Sequence, residues 1–95
     1  ATYLNTGSGA IAAATIENMV AIIETEGTSK TLNLPASPGV GRIYMITNTA
    51  AGTLTLDPNA SEVINGAATK AINAGNNAII CSISGGWVGL GGTLS

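Results

Sequence analysis

The sequence predicts an all-β fold, a small antiparallel sandwich or jelly-roll-like barrel of about eight short strands with an extended N-terminal arm. Turn-forming residues such as Gly7, Asn65-Gly66 and Gly85-Gly86 recur at intervals of about eight to twelve residues, which is typical of β-sandwiches and barrels. The runs between them are rich in β-branched residues and alternate in polarity, as strands do. A length of 95 residues allows one domain.

Eight runs carry this strand pattern. In the third run, Ile43 and Met45 alternate with Tyr44, so that successive side chains point to opposite faces. The predicted strands lie within Asn18–Thr25, Ser29–Leu34, Arg42–Asn48, Thr53–Leu56, Glu62–Ile64, Ala68–Asn73, Asn77–Ser82 and Trp87–Leu90.

Some of these strands are apolar on both faces, notably Val20–Ile23 and Ala78–Ile83. A strand with one face in water normally carries polar residues at alternate positions. Two-sided apolarity therefore predicts that a second layer or a neighbouring subunit covers the outer face.

The N-terminal segment is ambiguous between helix and strand. Residues 10–16 are rich in alanine, which favours a helix, but seven residues form only a marginal helix in isolation. We therefore expect residues 1–16 to form an extended arm or edge strand, and residues 17–95 to form a single sandwich domain.

Composition excludes several classes of function. Only 8% of the residues are charged, and Lys30, Arg42 and Lys70 are the only cations, which argues against a nucleic-acid partner. Histidine is absent and Cys81 is the single cysteine, so the common general base, a disulfide and a thiolate metal site are lacking. Apolar runs such as Val20–Ile23 are too short to cross a membrane. We expect no enzyme activity, no cofactor and no metal.

Two sets of side chains remain as candidate sites. Glu24 and Glu26 would share one strand face, as a carboxylate pair for glycoside chemistry or a cation site would require, but a solvated strand end explains them more simply. Trp87 is expected to pack in the core in preference to forming a sugar-binding platform, while Tyr44 is expected at a sheet face with its hydroxyl group pointing outward.

From Thr28 onward the sequence resembles a small β-rich module of phage virion structural proteins, namely capsid decoration (cement) proteins and terminal domains of tail fibres. The resemblance covers about two-thirds of the chain. It is carried by the segments Leu32-Asn33-Leu34-Pro35, Gly39–Asn48, Gly52-Thr53-Leu54-Thr55-Leu56, Val63-Ile64-Asn65-Gly66 and Ser84–Gly91.

The resemblance implies a homotrimer on the exterior of a virion capsid, made in the host cytoplasm, whose partners are further copies of itself and the major capsid protein. A chain that begins at Ala1, as if only Met had been removed, fits a decoration protein better than a fibre fragment. The alternative is a tail-fibre or spike domain that binds a host-surface glycan or receptor. Neither nucleic acid nor a membrane is expected as a partner.

The same interpretation selects two groups of residues for contacts. Candidate capsid-contacting residues of the arm are Tyr3, Leu4, Ile11 and Ile16. Candidate core or subunit-interface residues are Val20, Ile22, Tyr44, Ile46 and Trp87.

Overall fold

A computed structural model describes residues 1–95 as nine strands, arranged in two sheets, and one four-residue helix. The elements are β1 (Thr2–Asn5), α1 (Ala13–Ile16), β2 (Ala21–Glu24), β3 (Lys30–Asn33), β4 (Ile43–Asn48), β5 (Leu54–Asp57), β6 (Val63–Ile64), β7 (Lys70–Ile72), β8 (Asn77–Ile83) and β9 (Gly86–Gly92). No helix is long or apolar enough to cross a membrane.

The two sheets differ in size and both mix parallel and antiparallel pairs. The large sheet has the order β1-β2-β4-β8-β9-β6, and the small sheet has the order β3-β5-β7. The pairs β1–β2, β2–β4, β3–β5 and β6–β9 are parallel, whereas β4–β8, β8–β9 and β5–β7 are antiparallel.

The first half of the chain winds through three stacked coils, each crossing from the large sheet to the small one. Coil 1 (residues 2–11) contributes β1 and then Ile11, coil 2 (residues 21–33) contributes β2 and β3, and coil 3 (residues 43–57) contributes β4 and β5. Equivalent residues lie beside one another in register: Ile11 pairs with Leu32, and Leu32 pairs with Leu56. The arrangement is that of a short solenoid, in which each coil contacts only its neighbours.

The second half of the chain closes this stack. Strands β7 and β8 run antiparallel to β5 and β4, so that they end the coil stack, and β9 pairs with β8. The core lies between the two sheets and consists of 14 buried residues, including the inward side chains of every large-sheet strand from β2 to β9.

The sequence-based prediction of an all-β fold is confirmed, and each of the eight predicted runs overlaps one strand. The expected antiparallel order is wrong, because four strand pairs are parallel. A ninth strand, β1, lies in the N-terminal segment, and residues 13–16 of that segment form the short helix α1. A helix of four residues is unstable on its own, but α1 is stabilised because Ile16 is fully buried against the sheets.

The N-terminal segment packs against the rest of the fold, with β1 as an edge strand of the large sheet. Ile11 and Ile16 are buried in the core, at 3% and 0% exposure. Tyr3 packs against the same core, and the backbone of Ile11 bonds to Thr31 and Asn33 of β3. Removing residues 1–14 would therefore take away a coil and part of the core.

Close stacking of the coils requires a glycine at position 52. A Cβ atom at this position would lie 2.5 Å from the Ser29 amide nitrogen and 2.6 Å from the Gly27 carbonyl oxygen. These atoms belong to the turn of coil 2 directly beneath the turn of coil 3. Gly27, by contrast, has open space where its Cβ would lie.

We expect Gly52→Ala to destabilise the protein by about 1–3 kcal/mol, because backbone atoms of coil 2 must shift to admit the methyl group. Urea unfolding followed by circular dichroism measures this change. Gly27→Ala is the matched control and should unfold close to the wild type. Equal midpoints for the two variants would contradict the stacking of these turns.

Candidate functional site

The side of the large sheet that faces away from the core, here called the outer face, is the strongest candidate site. Alternation along each strand places one set of side chains inward and the other outward. By strand register and burial, the central part of the outer face, to which the name is restricted here, consists of Thr2, Leu4, Ala21, Ile23, Ile43, Met45, Thr47, Asn77, Ile79, Cys81, Val88 and Gly91.

Pairing brings these residues into contiguous rows across the sheet. One row runs through Ala21, Met45 and Ile79, because Met45 is the registered partner of both neighbours. Met45 is 46% exposed and Ile79 is 37% exposed, although both are large apolar side chains. None of the outer-face residues is charged. The outer face is thus an uncharged, mostly apolar surface that this chain leaves open to solvent.

The outward side of the small sheet is quite different. Its registered residues are Thr31 opposite Thr55, and Asn33 opposite Asp57. These polar residues can stay hydrated, as an ordinary solvent-facing sheet requires. The contrast within one fold shows that the apolar character of the outer face is specific to the large sheet.

The shape and the size of the outer face both bear on what it could bind. A shallow depression of about 420 Å³ lies on it, lined by side chains of β2, β4 and β8, including Ile23, Met45 and Ile79. Strand and residue spacings give the face an area on the order of 400 Å², which is the size of the largest apolar patch on a typical monomer, a patch that is often functional. A surface of this size and chemistry is suited to binding another protein.

A row of polar residues runs through the interior at the ends of the first strands of the three coils. Asn5 pairs in register with Glu24, and Glu24 pairs with Asn48; all three are buried. Asn5 Nδ2 donates a 2.7 Å hydrogen bond to Glu24 Oε1. Each residue also bonds to the turn that follows it, through Asn5 Nδ2 to the Gly7 carbonyl, Glu24 Oε2 from the Glu26 amide, and Asn48 Nδ2 to the Gly52 carbonyl.

Lys30 completes this cluster. Its ammonium group lies 2.5 Å from Glu24 Oε2 and 3.0 Å from Glu26 Oε1, and it donates a further bond to the Glu26 carbonyl oxygen. The side chains of Lys30 and Glu24 are 1% and 2% exposed. The interpretation of Glu24 as part of a solvated strand end is therefore wrong, since Glu24 forms a buried ion pair.

These contacts displace the pKa values of two groups. Burial lowers the pKa of Lys30, but its hydrogen bonds to Glu24 and Glu26 outweigh burial and raise the pKa above its ordinary value. Hydrogen bonds from the Thr28 backbone amide and from Lys30 lower the pKa of Glu26. Both shifts favour the charged forms and so hold the ion pairs together.

The hydrogen-bonding groups of Lys30 and Glu24 are all used within the protein, so neither side chain is available to act on a substrate. All three ammonium protons of Lys30 have acceptors, and both oxygens of Glu24 accept hydrogen bonds. No three potential metal-ligating side chains lie together. Its role is to hold coils 1 and 2 together.

A second cluster surrounds the rings of Tyr44 and Trp87. The Tyr44 hydroxyl donates a 3.0 Å hydrogen bond to the Ile16 carbonyl oxygen, and the Arg42 guanidinium lies 4.5 Å from the centre of the Tyr44 ring. Arg42 also donates hydrogen bonds to the carbonyl oxygens of Glu17 and Met19. The expectation that the Tyr44 hydroxyl points outward is wrong, because it anchors α1 from inside.

The core position predicted for Trp87 is confirmed. Trp87 is 1% exposed, and its ring centre lies 5.5 Å from that of Tyr44. The two rings touch the floor of a cleft of about 330 Å³ that Glu17 and Arg42 also line. Neither ring offers an exposed face on which a sugar could stack.

The structure places the contact residues selected from the sequence in different environments. Ile22, Tyr44, Ile46 and Trp87 lie together in the core, whereas Val20, just before β2, is 38% exposed. Of the four arm residues, Ile11 and Ile16 are inaccessible and Tyr3 is half-buried, while Leu4 is 55% exposed on β1.

Sequence reasoning missed the coil repeat, although a short signal for it exists. The pairs Asn5-Thr6, Glu24-Thr25 and Asn48-Thr49 occupy equivalent positions at the ends of β1, β2 and β4. In two of them the threonine bonds back to the preceding coil, through Thr25 Oγ1 to the Asn5 carbonyl and Thr49 Oγ1 to the Glu24 carbonyl. A polar residue followed by threonine at the end of each strand is the pattern that would have revealed the repeat.

Comparison of the chain with models of known protein families, with curated proteins and with solved structures finds no match.

We expect Lys30→Met to destabilise the protein by about 3–5 kcal/mol, because it leaves the Glu24 carboxylate buried without its cation. Lys70→Met is the matched control: Lys70 forms no ion pair, so its loss should change stability by less than about 0.5 kcal/mol. Urea unfolding of both variants measures the difference. Similar losses for the two lysines would contradict a structural role for the buried pair.

Stability should also depend on pH at both ends of the scale. Since folding raises the pKa of Lys30, its contribution is complete below the ordinary value of 10.5 and is lost as pH rises through the folded-state pKa. Since folding lowers the pKa of Glu26, its contribution is complete above the ordinary value of 4.5 and is lost as pH falls through the folded-state pKa. Urea midpoints measured across this range should decline at both limits. An unchanged alkaline decline in Lys30→Met would show that another group causes it.

Proposed function

We propose that this protein is a non-catalytic structural protein of a virion: a capsid decoration protein that forms a homotrimer and bridges neighbouring shell subunits. The observation that carries the proposal is the uncharged, apolar outer face of the large sheet. The virion setting is supported by the resemblance in sequence, whose segments include β4 and β9.

The outer face supports self-association in particular because it is free of charge. Copies that turn the same face toward a common axis bring equivalent residues together near that axis, where like charges are unfavourable. Depletion of charge in the centre of a surface is also what distinguishes protein interfaces from the remaining surface. The outward side of the small sheet carries polar side chains and the charged Asp57, so it is the better candidate for facing solvent.

The size of the face limits how copies can assemble. A standard interface takes about 800 Å² from each partner, roughly twice the area of the outer face. Residues at its rim must therefore contribute, and Leu90, which is 60% exposed in the bulge of β9, is well placed to do so. Three copies that turn their outer faces toward a common axis would bury this surface, leaving the small sheets outside.

Such a trimer would stabilise a shell through mass action. A protein that binds only assembled subunits adds its binding free energy to the stability of the assembly. Attachment at three equivalent points makes release slow, because all contacts must break together. This role needs no catalytic group.

The alternative, a fibre or spike domain that binds a glycan, has weaker support. It depends on an exposed aromatic ring beside a polar cleft. The cleft lined by Glu17 and Arg42 is polar, but Tyr44 and Trp87 are 0% and 1% exposed.

Met45→Lys should dissociate the trimer, because it places a charge at the centre of the outer face from each copy. Met45 is half-exposed in the single chain, so its substitution should not unfold the domain. Light scattering should give at least three times the chain mass for the wild type and at most two chain masses for Met45→Lys. Thr55→Lys, on the outward side of the small sheet, is the control and should remain trimeric.

A wild-type protein that stays monomeric at all concentrations would overturn the proposed assembly. Binding to the shell is tested by co-sedimentation with capsids, prepared without this protein, of the virus that encodes it. Bound wild type should raise the temperature at which the shells rupture. Failure of a trimeric wild type to bind would overturn the decoration role and leave only the self-association.

A further inference from the structure

Sheet edges expose unpaired backbone groups, and three of the four edges in this fold are covered. Ile11 bonds to β3, the edge strand of the small sheet, and Ser95 exchanges two hydrogen bonds with Ala71 of β7, the opposite edge. In the large sheet, β6 is only two residues long, and Ile64 bonds to Ala67 within its own turn. These contacts are the usual protection of edges against pairing with another chain.

Strand β1 is the exception. It pairs only with β2, and none of residues 1–95 covers its other side. The carbonyl oxygens of Ala1 and Asn5 accept hydrogen bonds from the chain around β2. Because backbone groups alternate between the two sides of a strand, Thr2 and Leu4 direct their amides and carbonyls away from β2.

The side chains of β1 do nothing to prevent pairing. The strand reads Thr-Tyr-Leu-Asn and contains no lysine, proline, bulge or inward-pointing charge. Leu4 is 55% exposed at the corner where this edge meets the outer face. An open, uncharged edge beside an apolar side chain is a surface for strand addition.

We propose that β1 pairs antiparallel with β1 of a second copy of this chain, with Leu4 opposite Leu4. The inference goes beyond the proposed function and does not depend on it, because it uses an edge of the sheet and not the centre of the outer face.

The register follows from two requirements. Side chains paired across strands must lie on the same face of the sheet, and the paired backbone groups must be those that point away from β2. With Leu4 opposite Leu4, the two leucines exchange a pair of backbone hydrogen bonds and join their side chains on the outer face. Tyr3 of each copy then lies opposite Asn5 of the other on the inner side.

A second copy fits this edge because the strand is complementary to itself. Its pattern places the exposed apolar side chain of Leu4 against an identical one. The pair creates no contact between like charges, since β1 has no charged side chain. The resulting continuous sheet would make the outer faces of two copies neighbours.

Disulfide trapping tests the register directly. In a Cys81→Ser background, Leu4→Cys places two thiols on Cα atoms about 5.5 Å apart, within the range that a disulfide spans. Thr2→Cys is the matched control, because its two copies would lie about 14 Å apart, too far for a disulfide. Both variants are treated with oxidised glutathione and analysed on non-reducing gels.

We expect a covalent dimer from Leu4→Cys, at least tenfold more abundant than from Thr2→Cys. Equal yields from the two variants, or no dimer from Leu4→Cys, would overturn the proposal. The same experiment in a Met45→Lys background separates the edge from the outer face: dimer should still form when the trimer is absent. Loss of the cross-link with Met45→Lys would show that the contact depends on the trimer and would overturn an independent edge.

Discussion

The structure depends on the in-register stacking of its three coils, and the buried polar row enforces that register. Asn5 and Glu24 must lie side by side, because their side chains hydrogen-bond to each other; Asn48 lies beside Glu24 and donates a hydrogen bond to the Ile72 carbonyl oxygen of β7. A shift by one residue would turn every side chain of a strand to the opposite face and leave the ion pair of Glu24 with Lys30 unmade. An unpaired buried charge is among the most costly errors that a fold can contain.

This register also determines the surface. Once Ile22, Tyr44 and Ile46 point into the core, their neighbours along the same strands must point outward, and in the large sheet those neighbours are apolar. The small sheet obeys the same alternation but places threonine, asparagine and aspartate outside. Four of the eight exposed large apolar side chains, Leu4, Ile43, Met45 and Ile79, thus lie on one surface, which supports the proposal that the protein functions in assembly.

Local patterning predicted the strands well, because alternation and turn residues act over a few positions. It could not predict which strands are neighbours: the parallel partners of β2 and β3 depend on how coils stack, and that is a property of residues far apart in sequence. The burial of Glu24 was missed because its cation, Lys30, belongs to the next strand. The sequence left the N-terminal segment open between an arm and an edge strand for a similar reason, since Ile11 and Ile16 become core residues only when the two sheets are present.

The outer face carries a natural probe, because Cys81 lies on it beside Ile43 and is half-buried in the single chain. The most direct test of a covered face is the rate at which Ellman's reagent labels this thiol at increasing protein concentration. We predict that labelling slows as concentration rises, while Met45→Lys is labelled rapidly throughout. A wild-type rate that matches Met45→Lys at every concentration would show that the face stays open and would contradict the account.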